Sequence, residues 1–160
     1  MDILTRFSPA IFMTSAVMIA ILKPCYGSIY FLIYLITAQL SNKIFKEVAK
    51  RLYGNRETLT ILGRGKRPEG ACGCGLMADN KPATSFGMPS GHSQIAWAVS
   101  TYLILKYSLN SIPQAIFLIA IAGYISFSRV AIGCHTTEQV VTGAVIGIIS
   151  GILAYNLNRF

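Results

Sequence analysis

The chain has two histidines, His92 and His135, and each stands beside residues that could grip an anion. His92 follows Pro89-Ser90-Gly91 and precedes an apolar run, so Ser90 is placed to cap a helix whose first backbone N–H groups point outward. Such a helix start suits phosphate, because Gly91 lets the anion approach the backbone and the helix dipole adds partial positive charge. The same residues would also make an ordinary Ser-capped helix with an interfacial histidine. Arg129 closes another apolar run six residues before His135, and Glu138 is the only acid after Asp79 that could pair with it. Planar, bidentate recognition of phosphoryl oxygens suits a guanidinium so placed; an arginine snorkelling to a membrane interface is the alternative. An imidazole such as His135 can attack phosphorus, provided something holds its other ring nitrogen. Gln139, one helical turn on, could hold it, or could join Thr136 in a Thr-x-x-Gln capping box; one amide is expected to serve one role at a time.

Metal chemistry has little to build on. The six acids are Asp2, Glu47, Glu57, Glu69, Asp79 and Glu138, too few and too scattered, with two histidines, for the ligand cluster of a two-metal phosphoesterase. Cys72-Gly73-Cys74 resembles half a zinc site, but its spacing is shorter than the usual one, and Cys25 and Cys134 come without a second paired ligand. The four cysteines do not read as a disulfide framework, which leaves Cys72 and Cys74 in a plain flexible loop or as a redox-sensitive pair. No metal and no cofactor are expected.

The elements that position these groups follow from composition. In 160 residues, 53% are hydrophobic and 12% charged, with a mean hydropathy of +0.54. That excludes a water-soluble domain of ordinary surface, as well as disorder, collagen and coiled coil. Fourteen Lys and Arg against six acids leave a net charge of +8, so most cations need an anion from elsewhere. Lipid phosphate, as headgroup or as substrate, is the expected partner, and nucleic acid is not. Windows free of charge run from Phe7 to Leu22, Pro24 to Asn42, Pro82 to Leu105, Tyr107 to Ser128 and Gln139 to Asn158. Trimmed at their Pro, Gly and Asn breaks, they predict an all-α membrane bundle with spans of about 7–22, 26–42, 92–109, 114–128 and 137–156. The first is read as a retained helix rather than a signal peptide, because no small-x-small cleavage site follows it. One domain over 1–160 is expected. Its one long polar loop, 43–91, carries nine of the fourteen cations, and two spans separate it from the connection that holds His135. Both therefore emerge on one membrane face. Gly143, Gly147 and Gly151 continue the stripe of His135 and Gln139 along the last helix and permit close helix packing.

Taken together, Lys66-Arg67-Pro68, Pro89-Ser90-Gly91-His92 and Ser128-Arg129-x5-His135 resemble the three ordered motifs of the type 2 phosphatidic acid phosphatase superfamily, over roughly Lys46 to Val140. The resemblance implies a metal-free membrane lipid phosphatase. In it His135 is the nucleophile that forms a phosphohistidine and His92 the general acid, while Lys46, Arg67, Ser90, Gly91 and Arg129 hold phosphate. The stretches Gly87 to Gln94 and His135-Thr136-x-x-Gln139-Val140 look most like the dolichyldiphosphatase branch, which implies a polyprenyl diphosphate substrate and, in a eukaryote, the endoplasmic reticulum membrane. A lipid monophosphate is the alternative substrate, and a non-catalytic protein that binds anionic lipid is the alternative of another class.

Two positions depart from the superfamily pattern. Its lysine seven places before the Arg-Pro pair is Thr60 here, so either Lys46 fills the role across an insertion of about fourteen residues, or Lys66 or Arg64 substitutes. Where most members have Asp, this chain has Gln139; a neutral amide can orient an imidazole but cannot stabilise its cation. The membrane orientation is contested too. Eleven cations fall on the active-site face against Lys23, Lys106 and Arg159 opposite, which favours a cytosolic site, whereas the resemblance implies a lumenal one.

Overall fold

The computed structural model describes residues 2–75, 82–108 and 111–158. Asp79, Lys81, Leu109, Asn110 and Arg159, which figure in the sequence reading, lie outside the described residues. Five α-helices follow in order: α1 (Asp2–Leu22), α2 (Tyr26–Tyr53), α3 (Gly91–Leu103), α4 (Ile112–Ala131) and α5 (Thr137–Leu157). A two-stranded antiparallel hairpin, β1 (Thr58–Leu59) and β2 (Gly63–Arg64), lies between α2 and α3, and a π-helical turn, Ile104–Ser108, extends α3.

Local chemistry sets the ends. Pro24 follows α1, Cys25 N–H donates to Ser28 Oγ at 3.1 Å at the start of α2, and Gly54, at φ 51, stops α2 with its N–H on Lys50 O at 3.0 Å. Four of the expected spans start or end within a few residues of their helices, but the polar loop does not begin at Lys43. Lys43 to Tyr53 continue α2 for about three more turns, because the Lys, Glu and Arg here are strong helix formers and Ala49 and Tyr53 keep an apolar face buried.

The bundle is organised around α3, which packs against each of the other four helices. Its closest neighbour is α5, and the glycine stripe explains how. A Cβ at Gly143 would stand 2.5 Å from Ser90 O and one at Gly151 2.8 Å from Ala98 O, while one at Gly147 would overlap Gln94 O. The two backbones touch along three turns, as small-residue stripes allow between helices in lipid. Leu35, Ala38, Ile95, Ala98, Val99 and Tyr102 fill the space behind this seam. Several buried polar side chains inside the bundle pair with one another or with backbone: Ser93 Oγ donates to Val140 O at 2.8 Å, Trp97 Nε1 donates to Ser126 Oγ at 3.1 Å, and Asn42 Nδ2 donates to Gln94 Oε1 at 2.8 Å. The outer faces are apolar and exposed, as at Ile33, Ile36, Phe117, Val145, Ile149 and Leu153. Among the described residues, three segments are long and apolar enough to cross a membrane, Thr5–Leu22, Ile112–Ala131 and Thr137–Leu157. The apolar half of α2 passes into a cationic end, and α3 is short and central, so neither reads as an isolated span.

Candidate active site

His135 is placed by the end of α4. The helix closes on Gly133 at φ 69, and the N–H groups of Cys134 and His135 both return to Arg129 O, at 3.0 and 3.1 Å. This turn swings the imidazole into the bundle, where it is 4% exposed. Its Nε2 lies 2.9 Å from Arg67 Nη1 and its Nδ1 2.9 Å from Gln139 Oε1. A guanidinium can only donate, so Nε2 accepts and carries the free lone pair of a neutral ring; Nδ1 carries the proton. Burial, with Arg67 and Lys46 nearby, pushes the imidazole pKa far below its ordinary value and keeps it neutral.

The orientation of Gln139 is fixed independently. Its Nε2 donates to Arg64 O and Lys66 O, each at 2.8 Å, which leaves Oε1 to face His135 Nδ1–H. The same oxygen also accepts from Thr136 N–H at 3.3 Å. The expectation of one role at a time is therefore corrected: this amide serves the histidine, the start of α5 and the Arg64–Lys66 loop together. It can do so because an amide has two donors and two lone pairs, and the loop brings two carbonyls to it. Gly87 makes room, since a Cβ there would lie 2.5 Å from Gln139 Nε2.

Arg67 is held from four sides: Nε donates to Ser85 O at 3.1 Å, Nη2 to Ser85 Oγ at 2.9 Å, and Nη1 to Cys134 O at 2.8 Å as well as to His135. Lys46 projects from α2 into the same place, with Nζ on Phe86 O. Burial first, and then the charge of Arg67, lower its pKa from 10.5 to about 8. Lys66 lies exposed at the rim while its carbonyl binds Gln139, and Arg64 forms an exposed ion pair with Glu69 at 3.3 Å. Of the three contenders for the first-motif cation, Lys46 alone has its charge turned inward. A cleft of about 870 Å³ opens in front of Lys46 and Arg67.

Ser90 stands at the N-cap of α3 but caps nothing: its hydroxyl is fully buried and has no hydrogen-bond partner among the described residues. Its backbone N–H is already used, on Gln139 O at 3.0 Å. The expected N-cap bond is thus corrected, and the hydroxyl remains available to a ligand. Gly91 opens α3 with Asn42 packed against it, so that a Cβ would meet Asn42 Oδ1 at 2.8 Å. His92 Nε2 donates to Arg6 O of α1 at 3.0 Å and lies within electrostatic reach of Arg129, Arg67 and Lys46. Arg129 is fully buried, with Nη2 donating to Thr5 Oγ1 at 3.0 Å. A snorkelling arginine would reach solvent; this one points into the protein. All eight residues singled out from the sequence, His92, His135, Lys46, Arg67, Ser90, Gly91, Arg129 and Gln139, converge on one end of the bundle.

Three contributors were not anticipated. Thr5 and Arg6 of α1 close the His92 side, Ser85 and Phe86 seat the two cations, and Cys74 forms a disulfide with Cys134, Cα to Cα 5.6 Å. The last corrects the view that the cysteines form no bridge and that Cys72 and Cys74 act as a pair; Cys72 and Cys25 are free and exposed. One sequence signal could have shown it: Cys134 adjoins His135, and Cys74 follows Arg67 by seven residues, so any fold that joins Arg67 to His135 brings the two thiols near each other.

Residues 27–160 match the family model described as the PAP2 superfamily. The dolichyldiphosphatase of Saccharomyces cerevisiae is 29% identical over 125 residues, 73% of this chain and 47% of its own length. Dolichyldiphosphatase 1 of Homo sapiens is 36% identical over 78 residues, 40% of this chain and 33% of its own. A lipid A 1-phosphatase of Porphyromonas gingivalis is 32% identical over 80 residues, 50% of this chain and 18% of its own. The chain thus spans less than half the length of each of these curated relatives. The crystal structure of a transmembrane PAP2 type phosphatidylglycerolphosphate phosphatase from Bacillus subtilis superposes with a TM-score of 0.62 at 22% identity, covering 94% of this chain and 67% of that one. Its fold and the three apolar helices make this an integral membrane protein, and a match that runs from the first turn of α2 to the last residue makes the chain a member of the PAP2 superfamily.

Proposed function

We propose that the chain hydrolyses the diphosphate of a membrane-anchored polyprenyl lipid through a phosphohistidine on His135. The observation that carries this reading is the double clamp on the imidazole: Gln139 Oε1 accepts a hydrogen bond from Nδ1–H, and the Nε2 lone pair faces the guanidinium of Arg67 at 2.9 Å. An arriving phosphoryl group draws Arg67 onto its own oxygens and so uncovers the nitrogen. Nε2 then attacks phosphorus as the bond to the leaving oxygen breaks, and His92, protonated once the anionic headgroup offsets the burial and the cations that otherwise keep it neutral, gives that oxygen its proton. Charge on the equatorial oxygens falls to Arg67, Lys46, Arg129, the Ser90 hydroxyl and the Gly91 N–H. Water next attacks phosphorus and gives its proton to His92; the N–P bond breaks, phosphate leaves, and both histidines return to their starting states.

The polyprenyl tail stays in the bilayer beside the exposed apolar faces while the headgroup enters the cleft. Two relatives named dolichyldiphosphatase support the diphosphate, and those named for lipid A and phosphatidylglycerolphosphate keep a lipid monophosphate as the second reading. The Cys74–Cys134 disulfide favours an oxidising compartment for the site, such as the endoplasmic reticulum lumen in a eukaryote, against the cation bias of the loops. The test is phosphate release from a prenyl diphosphate by the full chain in detergent with a chelator present, followed by acid-labile phosphoenzyme. His135→Ala removes both. His92→Ala slows turnover by about 10²–10⁴-fold and leaves phosphoenzyme detectable with an activated leaving group. Phosphoenzyme that persists in His135→Ala overturns the reading.

A further inference from the structure

The cleft in front of Lys46 and Arg67 holds more positive charge than one phosphoryl group needs. Lys43, Lys46 and Lys50 lie on its wall at intervals of three and four along α2, one face of the helix, with Lys66 and Arg67 opposite. Glu47 is the only carboxylate among the lining residues, and the ion pair of Arg64 with Glu69 lies elsewhere. Lys46 and Arg67 face His135 and are spoken for by the group it attacks. A phosphomonoester carries about −1.5 to −2 at pH 7, which these two cations already match. Lys43, Lys50 and Lys66 are left over, all exposed, the first two one turn to either side of Lys46 on the same helix face.

We infer that Lys43 and Lys50 form a subsite for a second phosphate carried by the substrate, the one that leaves with the lipid, so that the chain selects diphosphates over monophosphates. This rests on the phosphatase reading above and adds to it the residues that set substrate class. Three features argue for a headgroup rather than for the general membrane surface. The lysines line a concave cleft of about 870 Å³, not an open helix face. That cleft is continuous with the inward-turned Lys46 and Arg67. Its far wall, Pro82 to Phe86, is the segment whose Ser85 and Phe86 seat those two cations, so the wall is held in register with the site. A phosphate between Lys43 and Lys50 therefore sits beside one held by Lys46, as the two phosphates of a diphosphate require. When the bridging P–O bond breaks, the leaving phosphate gains negative charge where these lysines stand.

The experiment uses the full chain in a neutral detergent, free of anionic lipid. Its readouts are kcat/KM for farnesyl diphosphate and farnesyl monophosphate, and the affinities of methylenediphosphonate and inorganic phosphate. In K43Q/K50Q the diphosphate-to-monophosphate ratio of kcat/KM, and the diphosphonate-to-phosphate ratio of affinities, each fall about tenfold or more. An unchanged ratio overturns the subsite, whether both substrates decline together or neither does. So does a variant that loses only its response to added anionic vesicles, since the lysines would then serve the bilayer. Failure of the parent reading looks different. There the wild-type chain turns over neither substrate, yet the affinity ratio still reports whether Lys43 and Lys50 bind a second phosphate. Both lysines are exposed and Gln is a good helix former, so α2 tolerates the change.

Discussion

The α3–α5 seam and the cationic wall formed by α2 with residues 66–71 and 82–86 meet at the same histidine, and they are built in different ways. On the seam, backbone lies against backbone, and Ser90, Gln94 and Gln139 are fully buried, as is Arg129 of the adjoining α4. Position there is fixed by packing, which leaves no room to adjust. The wall has only a small apolar cluster, Ala49, Tyr53 and Met88 with Phe86 against them, and is otherwise held by directional tethers: Gln139 to the carbonyls of Arg64 and Lys66, Tyr53 OH to Gly63 O at 3.0 Å, Arg67 to Ser85, and one disulfide. His135, Arg129 and the Ser90 hydroxyl thus lie against the packed helices, whereas Lys46 and Arg67 belong to the tethered wall. The contrast can be broken at either end.

The largest effect is expected on the seam. Gly147→Leu drives a side chain into the backbone of α3 at Gln94 O, where overpacking costs about 1–3 kcal/mol or more and no flexible neighbour can yield. Little folded protein should be recovered in detergent. Gly123→Leu on α4, where nothing lies within 4 Å, is the matched control and should fold and turn over normally. Equal yields of the two variants would show that the seam is not the rigid element.

Next comes the joint between the regions. Gln139→Glu keeps an oxygen for His135 Nδ1–H but loses both donors to the loop carbonyls, and it sets a carboxylate against them. Removing a residue that orients a reacting group costs about 10- to 100-fold, and kcat/KM should fall in that range. The pH profile separates loop release from loss of the histidine. In the wild type, the depressed pKa of His135 keeps it neutral and adds no acid limb near neutrality. A carboxylate at 139 stabilises the imidazolium, raises that pKa, and should make activity fall as pH drops through a higher value.

Reduction of Cys74–Cys134 should act on the wall alone. The bridge spans 60 residues, and its loss costs about 2–4 kcal/mol of stability in the chain-entropy account. Cys74→Ser/Cys134→Ser should lower the melting temperature clearly but reduce kcat/KM only a few-fold, because Arg67 keeps Ser85. Cys25→Ser, at an exposed free thiol, should do neither.

What the sequence showed and what it hid divide along the same line. The seam was legible because packing leaves a periodic mark: glycines every four residues from His135 and Gln139, and a Ser-Gly-His at the head of an apolar run. The wall was not, because its tethers join residues far apart in sequence and reach backbone atoms that any residue could supply. Phe86 O, Ser85 O and Lys66 O hold the site through carbonyls, which leave no trace in residue type. The extra turns of α2 were hidden for a different reason. Lysines and a glutamate marked the end of an apolar span, yet the same residues favour helix, so the charge signalled the membrane boundary and not the helix boundary. Thr5 and Arg6 of α1 could not be placed at all, since α1 carries no motif that says which neighbour it meets.

The change most confined to one charge concerns Lys46, and it separates that residue from Lys66. With its pKa near 8, Lys46 loses its charge as pH rises through that value, and phosphate is then held less well. In the wild type, kcat/KM should therefore fall above pH 8, by about tenfold per unit if Lys46 alone governs the limb. The linkage runs the other way for folding. In the unfolded chain Lys46 titrates near 10.5, so between about 8 and 10.5 the unfolded state binds the extra proton, and stability rises with pH across that window. Activity falls while the contribution of Lys46 to thermal stability rises, a combination that alkaline unfolding cannot produce. Lys46→Arg, which stays charged, should carry the limb to higher pH with little loss at pH 7, whereas Lys66→Arg, exposed at the rim, should leave it where it is. A limb that moves with Lys66 and not with Lys46 would return the first-motif role to the lysine beside Arg67.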